Sequence, residues 1–164
     1  MEFFERGYVC WTNIPESNHT YDTPKPGFFL HGRHMCIVLH DHDLPDIRND
    51  LALVVPITSA KAEVKKALKE NRSILPSYVP IVKTEYGFLE EDSYVSTAQI
   101  MPVNRNWMDQ YIDKVEPEFM ELVDLQIIQN IGLMSMVAKM AQSLYQDKLV
   151  EVEAAVTKEA LLDQ

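Results

Sequence analysis

The sequence has little cysteine, no long hydrophobic run and a deficit of positive charge. Its two cysteines, Cys10 and Cys36, are too few for a disulfide framework or for a zinc site built from thiolates. Both lie in apolar segments, which favours buried free thiols in a reducing compartment. No segment approaches the ~18 uninterrupted apolar residues that a membrane-spanning helix requires, so we expect no association with a membrane.

Basic residues are outnumbered, with 25 acidic side chains against 15 basic ones and a formal net charge of −10. A protein of this charge does not attract nucleic acid over its whole surface, because the phosphate backbone is also anionic. The net negative charge makes binding of nucleic acid less expected, but it is compatible with a local basic pocket. The N-terminal stretch MEFFERGYVCW has no sustained apolar core, so we expect no signal peptide and a cytoplasmic location.

The length of 164 residues suits one domain, and the hydrophobic share of 46% is enough to form a core. Short apolar runs bounded by turn residues predict strands over residues 7–14, 34–39 and 51–58 and within YVPIVKT, DSYVSTA and QIMPV. Residues 59–72 have helical composition with Ser59 as the N-cap, which predicts a short exposed helix or an ordered loop. For residues 104–111 we predict a short helix at most.

The C-terminal part of the chain is helical in character. PEFMELVDLQIIQNIG predicts a helix that begins at Pro117 and ends or kinks at Gly132. We expect one of its faces to carry Phe119, Leu122, Val123, Gln126, Ile127, Asn130 and Ile131. Residues 133–164 contain neither glycine nor proline and predict a further helix that frays or docks on a partner. The predicted organisation is an α+β, barrel-like domain over residues 1–132 and an acidic helical extension over residues 133–164.

Several segments, taken in order, resemble the MazF/PemK family of bacterial toxins: RGYVCW, GRHMCIVL, VVPITSA, EYGFLEEDSYVSTAQI and the first C-terminal helix. Each motif is unspecific alone, but the ordered set at matching spacings covers roughly residues 6 to 132. The resemblance implies a small SH3-like antiparallel barrel of the CcdB/MazF/PemK superfold and an intertwined homodimer. It also implies the toxin of a type II toxin-antitoxin system, a metal-independent and sequence-specific endoribonuclease that cleaves single-stranded mRNA and is neutralised by a cognate antitoxin.

The resemblance implies that Arg33 and Thr58 are catalytic and that Gln99 contacts RNA. When RNA is cleaved through the ribose 2′-hydroxyl, an arginine can neutralise the charge that builds on the phosphate, and hydroxyl or N–H donors can bind its oxygens. Thr58 and Ser59 lie at the start of a predicted helix, where N–H groups collect anions. Both hydroxyls would equally serve as helix caps.

Arg33 stands where a buried strand begins, and a guanidinium there needs a carboxylate or a phosphate as its partner. An ion pair with an acidic residue of the neighbouring loops, Asp22, Asp41 or Asp43, is therefore the alternative to a catalytic role. His31 and His34 flank the arginine and are candidates for substrate binding or proton transfer. In an extended strand His31 shares a face with Arg33, unless Gly32 breaks the alternation.

The segment His40-Asp41-His42-Asp43 offers a second kind of site. Two imidazoles and two carboxylates would suit zinc if the chain turned there. The sequence contains no further candidate ligands at metal-site spacing elsewhere in the chain. We therefore favour a solvated loop at this segment and expect no cofactor. Trp11 is expected in the core, and Trp107 is a candidate for base stacking or for antitoxin contact.

Two further functions compete with the nuclease. A catalytically silent PemK-like barrel that binds protein or acts as a regulatory module is favoured by His34, which replaces the family's proline, and by a longer first loop. A gyrase poison resembling CcdB is disfavoured, because such proteins end in an aromatic-Gly-Ile tail whereas this chain ends in LLDQ.

Overall fold

A computed structural model of the chain describes residues 5–15, 30–40 and 50–162, with side chains described as far as residue 151. Seven strands precede the last two helices, and one helix lies between the third and fourth strands. The elements are β1 (Tyr8–Ile14), β2 (Gly32–Val38), β3 (Leu51–Thr58), α1 (Lys61–Glu70), β4 (Tyr78–Ile81), β5 (Ser93–Ser96), β6 (Met101–Asn104), β7 (Met108–Lys114), α2 (Pro117–Asn130) and α3 (Met134–Leu162). The six predicted strands, which correspond to β1–β6, and the predicted helices that correspond to α1, α2 and α3 are therefore confirmed, within a few residues at their ends.

All strand pairings are antiparallel, and their order across the sheet is β4-β5-β3-β2-β1-β7, with β6 paired to β3 as well. The predicted α+β class with an antiparallel sheet is confirmed. In the described part of the chain no pairing joins β4 to β7, so the sheet is not closed into a barrel.

The sheet is apolar on both faces. Ile37 and Val38 are neighbours in β2, point to opposite faces and are both fully buried. The first core, on the face of Ile37, contains Val9, Ile37, Val55, Ile57, Val79, Ile81, Leu89, Val95, Val115, Phe119, Met120 and Val123. The second core, on the face of Val38, contains Cys10, Cys36, Val38, Ala52, Val54, Val103 and Met108. Each large aliphatic side chain buried in this way contributes roughly 1.5–3 kcal/mol.

The two cysteines lie in the second core. Cys10 and Cys36 are cross-strand partners of β1 and β2, and both are fully buried as free thiols, as predicted. Burial raises the pKa of Cys10 to about 11 and the pKa of Cys36 to about 12, because a thiolate is poorly solvated there. Both side chains therefore stay protonated at neutral pH and act as small apolar residues.

Strand β7 is the element that the sequence did not predict. A short helix at most was expected over residues 104–111, but only Arg105–Trp107 form a 3-10 turn, and an extended strand follows at Met108. The strand lacks a regular alternation of buried and exposed residues, because its pairing with β1 shifts register twice. Without that alternation the apolar pattern typical of a strand is missing.

Helix α2 packs on the first core through Phe119, Met120 and Val123. The predicted face included Leu122, which is 56% exposed, and omitted Met120, which is buried. Both residues are apolar, so periodicity alone does not decide which of them faces the sheet. The edge-to-face contact between Phe119 and Tyr86, with ring centroids 5.6 Å apart, fixes the rotation of the helix.

Contacts divide the chain into two compact units, residues 1–127 and residues 128–164. In the second unit Gly132 adopts a positive φ of 76°, and Leu133 N–H donates to the Ile128 carbonyl at 3.0 Å. This pattern terminates α2, as predicted for Gly132. The side chains of α3 are exposed as far as Glu151. Within the described ranges, no helix has the length and apolar character needed to cross a bilayer.

We predict that removal of residues 147–164 leaves the melting temperature nearly unchanged. The described side chains of this segment are exposed, and changes at exposed sites usually alter stability by less than ~0.5 kcal/mol. Thermal unfolding followed by circular dichroism tests this. A truncation before Val123, which is fully buried, is the control and should abolish cooperative unfolding. A large loss of stability in the shorter truncation would show that the tail packs as core.

Candidate functional site

An irregularity in β7 brings two consecutive polar side chains to one face of the sheet. Gln110 lies opposite Trp11 of β1, and Met108 lies opposite Thr12, so Asp109 is an extra residue between two registered pairs. In a regular strand Asp109 would point away from the face of Gln110. A bulge of this kind redirects the inserted side chain.

Arg33 stands at the centre of the polar group that results. It is the second residue of β2 and lies directly opposite Asn13 of β1. Its guanidinium carbon is 4.7 Å from the centre of the Trp11 ring. Its Nε lies 3.6 Å from Asp109 Oδ2, and its Nη2 donates to Gln110 Oε1 at 3.3 Å. These five residues are called the arginine cluster below.

The arginine cluster is open to solvent. The Arg33 side chain is 50% exposed and that of Asp109 is 40% exposed, so water screens their ion pair. Exposed pairs of this type contribute at most about 1 kcal/mol, and an exposed cation–π contact contributes ~0.5–1 kcal/mol. The guanidinium is therefore oriented by Trp11 and Gln110 but remains available to an incoming anion. The acidic partners considered from the sequence, Asp22, Asp41 and Asp43, lie outside the described residues.

The two histidines beside Arg33 do not join the arginine cluster. Gly32 has a positive φ of 87° and begins β2, so His31 precedes the strand and the alternation between His31 and Arg33 is broken. His31 is exposed. His34 lies opposite Thr12 on the other face of β2, and its Nε2–H donates to the His31 carbonyl at 2.9 Å. The His34 ring thereby holds the backbone at the start of the strand.

Thr58 supports the turn that leads into α1. Its Oγ1 accepts a hydrogen bond from Ala60 N–H at 3.2 Å. Ala60 has a left-handed backbone with a φ of 48° and occupies the N-cap position, where no side chain caps the helix. The predicted N-cap role of Ser59 is therefore wrong. Ser59 instead lines a cavity of about 310 Å³ together with Lys61, Val64, Lys65, Glu91, Asp92 and Tyr94.

The side chains of Arg33 and Thr58 project from opposite faces of the sheet. Ile57 belongs to the first core, so alternation along β3 sends Thr58 to the face of the second core. Arg33 shares the face of Ile37, which is also a first-core residue. Gln99 lies in the turn after β5, where its N–H donates to the Ser96 carbonyl at 3.0 Å. Among the described residues, the hydrogen bonds and ion pair of Arg33 do not include Thr58, Ser59 or Gln99.

His40, the first residue of the alternative metal site, has a structural partner. It is buried, and its Nε2 accepts a hydrogen bond from Leu53 N–H at 3.0 Å. One of its two ring nitrogens is therefore bound to the backbone of β3 and is not available to a metal. The other members, Asp41, His42 and Asp43, lie outside the described residues. Within residues 5–15, 30–40 and 50–151, no group of three or more histidine, cysteine or acidic side chains could hold a metal ion.

Sequence reasoning missed three members of the arginine cluster, Asn13, Asp109 and Gln110. Their proximity depends on the bulge in β7, which leaves no signature in the local sequence. Trp11 was expected in the core, but it is only half-buried and lies beneath the Arg33 guanidinium. One signal for the stacking of Trp11 on Arg33 was available, because the two residues lie in strands that follow each other in the sequence. Trp107, in the 3-10 turn, is 36% exposed.

Comparison with known families identifies the chain. The model of the PemK-like, MazF-like toxins of type II toxin-antitoxin systems matches residues 5–131. The chain belongs to this family. No curated protein sequence matches the chain closely enough to count as a relative.

Solved structures of the family share the fold at low sequence identity. MazF from Deinococcus radiodurans has a TM-score of 0.54 and 16% identity, over 80% of this chain and 99% of that one. A MazE–MazF structure from the same organism gives 0.53 and 14%, over 81% and 99%. An endoribonuclease in complex with its cognate antitoxin, from a mycobacterial species, gives 0.52 and 16%, over 79% and 95%.

We predict that Thr58→Val lowers the free energy of unfolding by about 0.5–1.5 kcal/mol, because the replacement keeps the shape of the side chain but cannot accept the Ala60 N–H bond. Thr58→Ser keeps the acceptor and should lose much less. Urea denaturation of both variants measures the difference. Equal stabilities for valine and serine would show that the hydrogen bond is dispensable, and any loss of activity in Thr58→Val could then be assigned to chemistry.

Proposed function

We propose that this family member is the toxin of a type II toxin-antitoxin system and that it cleaves single-stranded mRNA, in a sequence-specific manner and without a metal. The observation that carries the proposal is an exposed arginine, stacked on Trp11 at the start of a buried strand, in a chain of the MazF-like family. Two of its structural neighbours are described as endoribonucleases. At this identity they support the fold, and the activity is inferred through the family.

The chemistry proposed at Arg33 is charge neutralisation. The ribose 2′-oxygen attacks the adjacent phosphorus, the bond from phosphorus to the 5′-oxygen breaks, and a 2′,3′-cyclic phosphate and a 5′-hydroxyl result. The guanidinium presents a planar fork of N–H donors, which can bind two phosphate oxygens as negative charge accumulates on them. Its partly exposed position leaves room for a substrate.

The roles of the other predicted site residues are part of the same proposal. Thr58 Oγ1 accepts a hydrogen bond from Ala60 and retains its own proton to donate to a phosphate oxygen. Because Thr58 and Arg33 project from opposite faces, the RNA would have to pass around the end of the sheet to contact both residues. His31, exposed beside β2, is proposed to take or return the proton of the reacting hydroxyls. His34, Ser59 and Gln99 are proposed to bind the RNA on either side of the cleaved bond.

The proposal extends to the partners of the chain. We propose a cognate antitoxin, since two structural neighbours contain an antitoxin or MazE. We also propose a cytoplasmic location, a homodimer and an SH3-like barrel as the repeating unit of that dimer. Residues 133–164 are proposed to act as a separate helical extension of the barrel domain.

A second candidate function is a catalytically silent barrel that binds a protein partner. The observation in its favour is that two of the three guanidinium nitrogens of Arg33 already face Asp109 and Gln110, which compete with a phosphate for these donors. His34, in place of the family's proline, favours it too. Cleavage of single-stranded RNA by the wild-type protein distinguishes the two functions.

We predict that Arg33→Ala reduces the rate of RNA cleavage by ~10²–10³, because one transition-state contact to the phosphate is lost. Arg33→Lys should recover little, since an ammonium cannot bind two oxygens in parallel. Cleavage of a random-sequence pool of single-stranded RNA, with sequencing of the new ends, measures the rate and reveals the cleavage motif. Lys69→Ala removes an exposed cation from α1 and is the matched control.

Two further arms of that assay test the mechanism. Cleavage should persist in EDTA, and a substrate with 2′-deoxyribose at the cleaved nucleotide should resist cleavage because the nucleophile is missing. Activity that EDTA abolishes and zinc restores would replace the proposed mechanism with a metal-dependent one. Absence of cleavage by the wild-type protein would favour the silent barrel.

We predict a homodimer at micromolar concentration, with twice the mass of the 18.9 kDa chain. Leu122 and Leu125 of α2 are both more than half exposed, and a second copy would cover such apolar side chains. Light scattering coupled to size-exclusion chromatography measures the mass. A monomer under these conditions would contradict the proposed assembly.

A further inference from the structure

Two of the three guanidinium nitrogens of Arg33, Nε and Nη2, already face an acceptor. Nε lies 3.6 Å from the carboxylate oxygen Oδ2 of Asp109, and Nη2 donates to the amide oxygen of Gln110 at 3.3 Å. Within the described residues, Nη1 has no hydrogen bond or ion pair. Binding of two phosphate oxygens on the edge formed by Nε and Nη2 would therefore require at least one of these acceptors to move, whereas Nη1 would still be accessible.

Asp109 is held in place by more than its attraction to Arg33. Its Oδ2 also accepts a hydrogen bond from Asn13 Nδ2 at 2.8 Å, which is shorter than its distance to the guanidinium. The bulge in β7 supplies the backbone position. The carboxylate is therefore placed beside Arg33 by the strand register and by an uncharged neighbour.

We propose that Asp109 is a built-in competitor of the RNA phosphate, which occupies the Nε edge of Arg33 in the free protein and weakens substrate binding. This inference rests on the proposed function, because it assumes that Arg33 binds the phosphate. Trp11 and Gln110 orient the guanidinium without charge and are compatible with a bound phosphate. Asp109 carries a negative charge and would repel a phosphate at the same nitrogen.

The alternative role for Asp109 is to position Arg33 for catalysis. A positioning carboxylate is expected to make a short, charge-assisted hydrogen bond of about 2.7–2.9 Å. The distance of 3.6 Å between Nε and Oδ2 is well beyond that range, and both side chains are substantially exposed. Competition therefore fits the geometry better than positioning.

The test measures binding of Asp109→Asn to a fluorescent single-stranded oligonucleotide of random sequence with 2′-deoxyribose throughout, which retains the phosphates but resists the proposed cleavage. The new amide oxygen can still accept the Asn13 hydrogen bond, so the bulge should persist. We expect the dissociation constant to fall about two- to five-fold, the effect of removing an exposed ion pair. Fluorescence anisotropy gives the constant.

The matched control is Asp113→Asn. Asp113 is an exposed residue of the same strand, and its Oδ1 accepts only the N–H of the following residue, Lys114, among the described contacts. Both substitutions remove one negative charge from β7. If only general electrostatic repulsion of the oligonucleotide is relieved, binding should tighten equally in both variants. Competition at Arg33 instead predicts a larger gain in affinity for Asp109→Asn. The gain should also vanish when Arg33→Ala is combined with Asp109→Asn.

The remaining outcomes separate this inference from the proposed function. If Arg33→Ala weakens binding but Asp109→Asn and Asp113→Asn behave alike, the competitor role is overturned while the role of Arg33 stands. Weaker binding and slower RNA cleavage in Asp109→Asn would also overturn it and assign Asp109 to positioning. If Arg33→Ala binds as tightly as the wild-type protein, the assumed phosphate contact fails and the inference fails with it.

Discussion

Burial of β2 on both of its faces is the constraint on which the rest of the structure depends. A strand with apolar side chains on both of its faces needs a packed layer on each side. The first core, with α2, covers one face, and the second core covers the other. Polar groups can then emerge only where the strand begins and ends. Arg33 marks the beginning, and His40 lies just beyond the end.

The polar residues at the two ends of β2 have different roles because one is buried and the other is exposed. His40 is buried and has its Nε2 bound by the backbone of β3, so it serves the packing of the sheet. Arg33 lies beyond the buried part of the strand, and its partners are the half-buried Trp11 of β1 and two exposed side chains of β7. A buried polar group must be satisfied permanently, whereas an exposed one can exchange its partners at small cost.

Local apolar content predicted most of the fold. The cores of β1, β2 and β3 and the capped, proline-initiated α2 carry their signals within a few residues. The arginine cluster did not follow from the sequence, because it depends on the register between β1 and β7, which are distant along the chain. The positive φ of Gly32, which removes His31 from the alternation, was recognised only as an open alternative. The rotation of α2 likewise depended on tertiary contacts.

The position of β7 at the margin of the sheet has a dynamic consequence. In the described part of the chain it is bonded to β1 alone, and two bulges interrupt that ladder. Outer strands with interrupted ladders exchange their amide protons through local opening, at a lower free energy than central strands. Arg33 belongs to the central β2, whereas Asp109 and Gln110 belong to the outer β7. We therefore expect slower amide exchange in β2, which holds the cation, than in β7, which holds its acidic neighbour and should open more readily.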